Sequence, residues 1–337
     1  MHIFSIGKAF PYVENAKNYL MAGKGANVAD FFTFMHNPNA PITVKWEKID
    51  SADRYEIELI APQYESEPTV VPCSAEVAEL ALFNLYKGAE YTVRITAYQG
   101  QVAIESGISA FQTTSLGPRV MKVDGIYNVR DLGGYKTACG KRTHQGLLYR
   151  GGALSPADVY DSQLTEAGKA TMKNTLKIKT EIDLRHPDET GICVKSLIPN
   201  AELIQVTIGP YDVAFSERPE GKAAYKKLFS TFAKSEKYPI YIHCTGGADR
   251  TGTVSFLLNA LLCVPEEILI QDYEFTSFSI YHMRNTREGV YQEYFNKFRN
   301  SLNSFKGDTL QEKTENYLLS IGVTKSEINE LKSIFLK

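Results

Sequence analysis

Between residues 41 and 115 apolar and polar side chains alternate. PITVKW (41–46), RYEIELI (54–60), EYTVRITAYQG (90–100) and AFQTTS (110–115) carry an apolar residue at about every second position. That is the pattern of antiparallel strands with one face buried and one wet. From about residue 120 the rhythm changes. Short apolar runs at GLLYRGG (146–152), TEIDLR (180–185), ELIQVTI (202–208) and PIYIHC (239–244) predict strands. Helical spacing runs through LTEAGKATMKNTLK (164–177) and GKAAYKKLFSTFAKS (221–235). RTGTVSFLLNALLCV (250–264) is apolar nearly all round, as a buried helix is. Residues after Pro265 read as helical, and Thr324 with Glu327 has capping-box spacing. Strand–helix alternation predicts an α/β domain, a mainly parallel central sheet flanked by helices. An all-β sandwich precedes it. The expected division is residues 1–40 as an N-terminal arm with a first strand, 41–116 as the sandwich and 117–337 as the α/β domain.

Composition narrows the function more by exclusion. The chain has 337 residues, 43% hydrophobic and 23% charged, with a net charge of −2. No global field attracts nucleic acid or anionic lipid, so recognition of phosphate must come from a local site. The first twenty residues lack the apolar core of a signal peptide, and no run approaches ~18 apolar residues. No integral membrane segment is expected, and the location expected is cytoplasmic; a secreted or cell-surface protein remains open if a leader is missing. Five scattered cysteines with no C-x-x-C pair make neither a disulfide framework nor a zinc site, and suit a reducing compartment. His144 and His186 have no partner ligands at suitable spacing. No metal and no cofactor are implied.

The chemistry concentrates in IHCTGGADRTG (242–252). A strand ends at Cys244, the turn Thr245-Gly246-Gly247-Ala248-Asp249 follows, and a helix starts near Arg250. Free N–H groups and the dipole at a helix N-terminus favour an anion. Gly246 and Gly247 let successive N–H groups curl inward as a nest, and Arg250 can fork onto two phosphate oxygens. The same surroundings stabilise a Cys244 thiolate, a nucleophile aimed at phosphorus. A nucleotide-binding loop is excluded, because no Lys-Ser/Thr pair follows the glycines. A rhodanese-like sulfur-transfer loop does not fit the DRTG that follows. Arg130 and Asp131 in NVRDLGG are expected to form a structural ion pair.

His243-Cys244 through Arg250-Thr251-Gly252 resembles the signature loop of Cys-based protein tyrosine phosphatases. Together with NVRDLGGY (128–135), LYRGGAL (148–154) and IDLRHPDE (182–189), it is similar to one bacterial branch. Members act on phosphotyrosine and, in some cases, phosphoserine/threonine or phosphoinositides. The resemblance implies a phosphocysteine on Cys244, a phosphate clamp at Arg250 and a cradle of N–H groups from Thr245 to Arg250. It implies that Thr251 helps the cysteine leave and that His243 orients the loop. For the general acid it leaves three carboxylates, in the order Asp249, Asp212 and Asp183, the last favoured for a structural bond. Position 248 departs from the branch, which commonly has Lys where this chain has Ala248; that weakens a phosphoinositide reading. The substrate expected is a phosphorylated protein, with a phosphorylated small molecule or lipid headgroup as alternative, and a silent phosphate-binding module as the reading from another class.

Upstream, Leu85, Tyr91, Val93, Ile95 and Ala97 look like a tyrosine-corner segment. With Trp46 and Tyr55 on earlier strands, residues 41–116 resemble a fibronectin type III domain. Such modules act as spacers or docking surfaces, so a protein partner is the role to expect of it.

Overall fold

The alternating segments form strands in the computed structural model, which describes residues 1–4, 6, 8–33, 37–155, 162–279 and 282–337. The N-terminal part contains β1 (Lys8–Ala9), α1 (Glu14–Ala22), β2 (Ile42–Lys45) and β3 (Arg54–Ile60). It continues with β4 (Thr69–Ser74), β5 (Glu79–Leu82), β6 (Glu90–Gln99) and β7 (Val102–Thr113). Five strands make one sheet in the order β1-β7-β6-β3-β4, and β2 pairs antiparallel with β5. The two-residue period is literal on β6, where Tyr91, Val93, Ile95 and Ala97 are buried. Val44 and Leu82 from the two-stranded sheet share one core with Ile57, Val93 and Ile95 from the other. Trp46 meets Tyr55 edge-on with ring centroids 5.5 Å apart. The Tyr91 hydroxyl accepts a hydrogen bond from the Tyr86 N–H at 2.7 Å, the backbone contact a tyrosine corner makes.

Strands β4 and β5 were not legible in the pattern. Strand β4 is an edge strand with no buried residue, and it carries Pro72, which edges tolerate and centres do not. The arm also holds more order than expected. Helix α1 packs Ala16, Tyr19 and Leu20 against Phe275 and Phe278, and the Tyr19 hydroxyl donates to Glu274 at 2.5 Å.

The remainder runs through β8 (Arg119–Val120), β9 (Arg130–Asp131), β10 (Leu148–Gly151), α2 (Glu166–Ala170), β11 (Thr180–Asp183) and β12 (Glu202–Gln205). Then come α3 (Pro219–Phe232), β13 (Ile240–His243), α4 (Asp249–Leu261) and α5 (Glu266–Phe275). Helices α6 (Gly289–Asn303), α7 (Leu310–Ser320) and α8 (Lys325–Phe335) complete it. The sheet order is β12-β11-β13-β10-β9-β8, the first four parallel and the last two antiparallel. This is an α/β domain on a mixed sheet. Every residue of α4 from Thr251 to Leu261 is buried; its Leu257 and Leu258 share a core with Ile240, Ile242 and Phe229. The segment 164–177 starts as α2 but widens into π-type turns over Thr171–Thr175. The capping box at Thr324 and Glu327 is present, and a second one forms at Thr309 and Glu312.

One expectation is corrected here. Arg130 and Asp131 do not pair with each other, because successive strand residues face opposite sides of a sheet. Asp131 accepts from Arg119 at 2.9 Å, whereas Arg130 reaches Asp272 at 2.8 Å. Among the described residues no helix is long and apolar enough to cross a membrane.

Candidate active site

Strand β13 delivers Cys244 to the carboxyl edge of the sheet, flanked by β10 and β11. His243 registers with Gly151 on one side and Asp183 on the other. Crevices for ligands open at this edge of parallel sheets. Cys244 is only 3% exposed, and α4 begins at Asp249. The backbone must therefore reverse within four residues. Gly247 makes the reversal with φ +65°, and a Cβ there would stand 2.2 Å from the Gly151 carbonyl oxygen. Only glycine fits.

What aims the loop is the fate of its carbonyls. The Thr245 oxygen accepts from Ala153 N–H at 2.9 Å, and the Ala248 oxygen from Gly252 N–H at 2.8 Å. The Gly246 oxygen accepts from Asn128 Nδ2 at 3.0 Å, and the Gly247 oxygen from Arg150 Nη2 at 2.6 Å. Those of Thr245, Gly246 and Gly247 turn to partners in the surrounding structure, and that of Ala248 closes the first turn of α4. The N–H groups from Thr245 to Arg250 have no acceptor among the described residues, and α4 has no side-chain cap. Unsatisfied donors converging at a helix N-terminus form an anion site.

The Arg250 guanidinium spans this cradle. Its Nη1 donates to Glu189 Oε1, its Nη2 donates to Glu189 Oε2 at 3.0 Å and to Thr245 Oγ1 at 3.1 Å. The Thr245 hydroxyl donates to the same Glu189 carboxylate at 3.0 Å. The Arg250 hydrogen bond leads in holding the Glu189 carboxyl down at about 2, against the opposing effect of burial. Burial disfavours the charge on Arg250, but Glu189 and the nearby Cys244 sulfur outweigh it and raise its affinity for the proton. The guanidinium is thus fixed as a planar fork whose charge is felt by the sulfur. Thr251, at the first turn of α4, has a fully buried hydroxyl with no partner among the described residues. Such orphans are uncommon in folded interiors, and this one is an available donor beside the loop. Gly252 is buried too; a Cβ there would lie 3.4 Å from the Tyr273 ring.

The three carboxylates have different surroundings. Asp249 accepts from Arg284 Nε at 2.8 Å and Nη2 at 2.9 Å, and from the Tyr211 hydroxyl. Asp212, on the short helical turn Tyr211–Phe215, has no hydrogen bond or ion pair from its side chain among the described residues. Its neighbour Tyr211 links the turn to Asp249 and, through its N–H, to Thr253 Oγ1 at 2.8 Å. Asp183 is buried and accepts Arg185 Nη2 at 2.7 Å and Nε at 2.9 Å. Burial pushes Asp183 up, but His243 and Arg185 prevail and hold it below the usual carboxylate range. His243 is fully buried, with Nε2 3.0 Å from Glu181 Oε1, so it braces β13 against β11. Ala248 is 2% exposed.

Several residues with roles here escaped the sequence reading. Glu189, Arg150 and Asn128 all sit inside the quoted motifs, which was the available signal. Asp272, Arg284 and Tyr211 had none. Asp272 is the hub beneath the loop, taking Arg130 Nε and Arg150 Nη1, each at 2.8 Å, and the Tyr135 hydroxyl at 3.2 Å. Burial opposes its charge, yet Arg130 and Arg150 hold its carboxyl below normal. Arg150 in turn is pulled down to about 10 by burial and by Arg130. Asp272→Asn leaves two buried guanidinium groups without their counter-charge, which is expected to cost about 3–5 kcal/mol of unfolding free energy. Since the folded pKa is depressed, this contribution is complete above the unfolded carboxyl value of about 4 and is lost as pH falls through the folded one. Denaturant unfolding measures it; a loss under ~1 kcal/mol contradicts the hub.

The sequence profile of the tyrosine phosphatase family matches residues 121–337. The chain belongs to that family. A protein of Cupriavidus necator, described as a putative tyrosine-protein phosphatase, is 28% identical over 181 residues. The match spans 47% of this phosphatase-family chain and 63% of that relative's length. Among solved structures, the core catalytic domain of the PP-IP phosphatase SIW14 from S. cerevisiae, in complex with citrate, covers 53% of the chain. That alignment takes in 88% of the yeast domain at 15% identity, with a TM-score of 0.33. The FN1-FN3 domains of chicken CNTN1 match 24% of the chain and 27% of their own length, at 18% identity and a TM-score of 0.21. Among the described residues no group of His, Cys, Asp or Glu is arranged to hold a metal ion.

Proposed function

We propose that this chain is a phosphomonoester hydrolase that acts through a phosphocysteine on Cys244 and prefers phosphotyrosine. The observation that carries the reading is the inward set of free N–H groups from Thr245 to Arg250, closed over a buried cysteine by the Arg250 fork. Such donors stabilise the charge that develops on the equatorial oxygens of a transferring phosphoryl group. The Cys244 thiolate attacks phosphorus while the ester oxygen leaves with a proton. Water then attacks the phosphocysteine, the sulfur leaves as thiolate, and the Thr251 hydroxyl is placed to receive its charge. Glu189 acts as a positioning residue that holds Arg250 until substrate arrives.

Asp249 is proposed as the acid, because it closes the loop beside the clamp. Asp249 donates the proton that leaves with the ester oxygen in the first step and takes one from the attacking water in the second. The N-terminal region is proposed to be a fibronectin type III-like sandwich, a reading supported by the Tyr91 contact and the shared core of its two sheets.

The phosphotyrosine preference rests on Ala248. An inositol lipid brings further phosphates, and Ala248 offers no cation to hold them. Lys222 is engaged with Glu217, and Lys227 donates to the Gln205 carbonyl at 3.0 Å. The test is the ratio of kcat/KM for phosphotyrosine peptides and soluble phosphoinositides, expected to favour the peptides. Preference for the inositol lipid overturns the substrate assignment; no turnover of either, nor of p-nitrophenyl phosphate, leaves a phosphate-binding module.

A further inference from the structure

Behind the catalytic loop, where the N-terminal region meets the α/β domain, lies a 200 Å³ cavity lined by Lys87, Ser115, Tyr135, Lys136 and Arg142 among others. Lys136 and Arg142 also line an adjoining 420 Å³ depression with Lys141 and Lys337. No Asp or Glu side chain lines either one among the described residues. We infer that this junction is a second anion-binding site, built for a small soluble anion carrying two phosphate groups.

Lys87 is the residue that points to a ligand. It is 5% exposed, yet its ammonium has no hydrogen bond or ion pair among the described residues. It lies over the face of the Tyr135 ring, 4.1 Å from the ring centroid. Buried ammonium groups are normally paired, and a bound anion supplies the missing partner. Arg142 spends one guanidinium nitrogen on the Gly134 carbonyl at 2.8 Å, and its guanidinium has no Asp or Glu partner among the described residues. One phosphate fits between Lys87 and Arg142; the second lies outward, among Lys136, Lys141 and Lys337. The inner cavity is smaller than the ~300 Å³ at which pockets for drug-sized ligands begin, which suits a compact anion. The site is separate from the catalytic loop, since Tyr135 and Asp272 stand between them. It does not depend on the phosphatase reading.

The site should also sense pH. Burial, aided by Arg142 and opposed by Asp272 and Asp131, pulls Lys87 down to about 7. Below that value Lys87 is charged and attracts the anion; above it Lys87 is neutral and affinity falls, up to tenfold per pH unit. Lys136 and Arg142 also face the cavity.

Calorimetric titration of the full-length Cys244→Ser chain with inorganic pyrophosphate tests the proposal. Two sites are expected, one at the catalytic loop and one here. Lys87→Met, added to that chain, should abolish the second site and leave the first unchanged; Arg142→Gln should weaken the second at least tenfold. A single site, or two sites indifferent to both substitutions, overturns the assignment. Binding confined to vesicles containing a phosphoinositide, with none to pyrophosphate, overturns the soluble ligand.

Discussion

Cys244→Ser is expected to abolish turnover of p-nitrophenyl phosphate while leaving anion binding at the loop intact. A thiol ionises near pH 8.5 when free, whereas an alcohol does not approach ionisation at neutral pH; the thiolate is the form that attacks. Binding depends on different atoms. The free N–H groups and the Arg250 fork are held by Asn128, Arg150, Ala153 and Glu189, none of which hydrogen-bonds the sulfur among the described residues. Activity should therefore vanish and vanadate affinity remain. Mild peroxide should inactivate the wild type, and added thiol should restore it, since a sulfenic acid is reversible. Residual activity within ~100-fold of wild type in the serine variant excludes a phosphocysteine; a simultaneous loss of vanadate binding places the anion contacts on the sulfur instead.

Asp249→Asn is expected to slow hydrolysis of esters with poor leaving groups by about 10²–10⁴-fold, the usual cost of losing a general acid. Activated aryl phosphates should suffer far less, because their oxygen leaves without a proton. That selectivity separates chemistry from structure. Loss of the Arg284 fork and the Tyr211 contact would also loosen the loop, but a loosened loop slows every substrate alike. Asp212→Asn is the paired measurement. Its carboxylate lies on the neighbouring turn and is free of ion pairs among the described residues. If the selective loss follows Asp212 and not Asp249, the acid is Asp212, and Asp249 is an anchor for Arg284.

The sequence by itself determined the elements whose cause is local. Alternation on β3 and β6 requires only one buried face, and all-round apolarity on α4 requires only a covered helix. The loop was legible for the same reason: Cys244, a turn that needs Gly247, and Arg250 lie within seven consecutive residues. Elements whose stability comes from distant partners were not legible. Strand β4 has no buried face of its own, and α1 is fixed by Phe275 and Phe278 from far along the chain.

The site divides along the same line. Which atoms react follows from the chain, but where the carbonyls of the loop point depends on Asn128 and Arg150, more than 90 residues earlier in the sequence. Only the tertiary structure brings Asp272 beneath Arg150, sets Glu189 across Arg250, and ties Asp249 to Arg284. Only packing of the two regions leaves the Lys87 ammonium buried with no ion pair among the described residues. Charge pairs of this kind are set by which surfaces meet, and no local period in a sequence records that meeting.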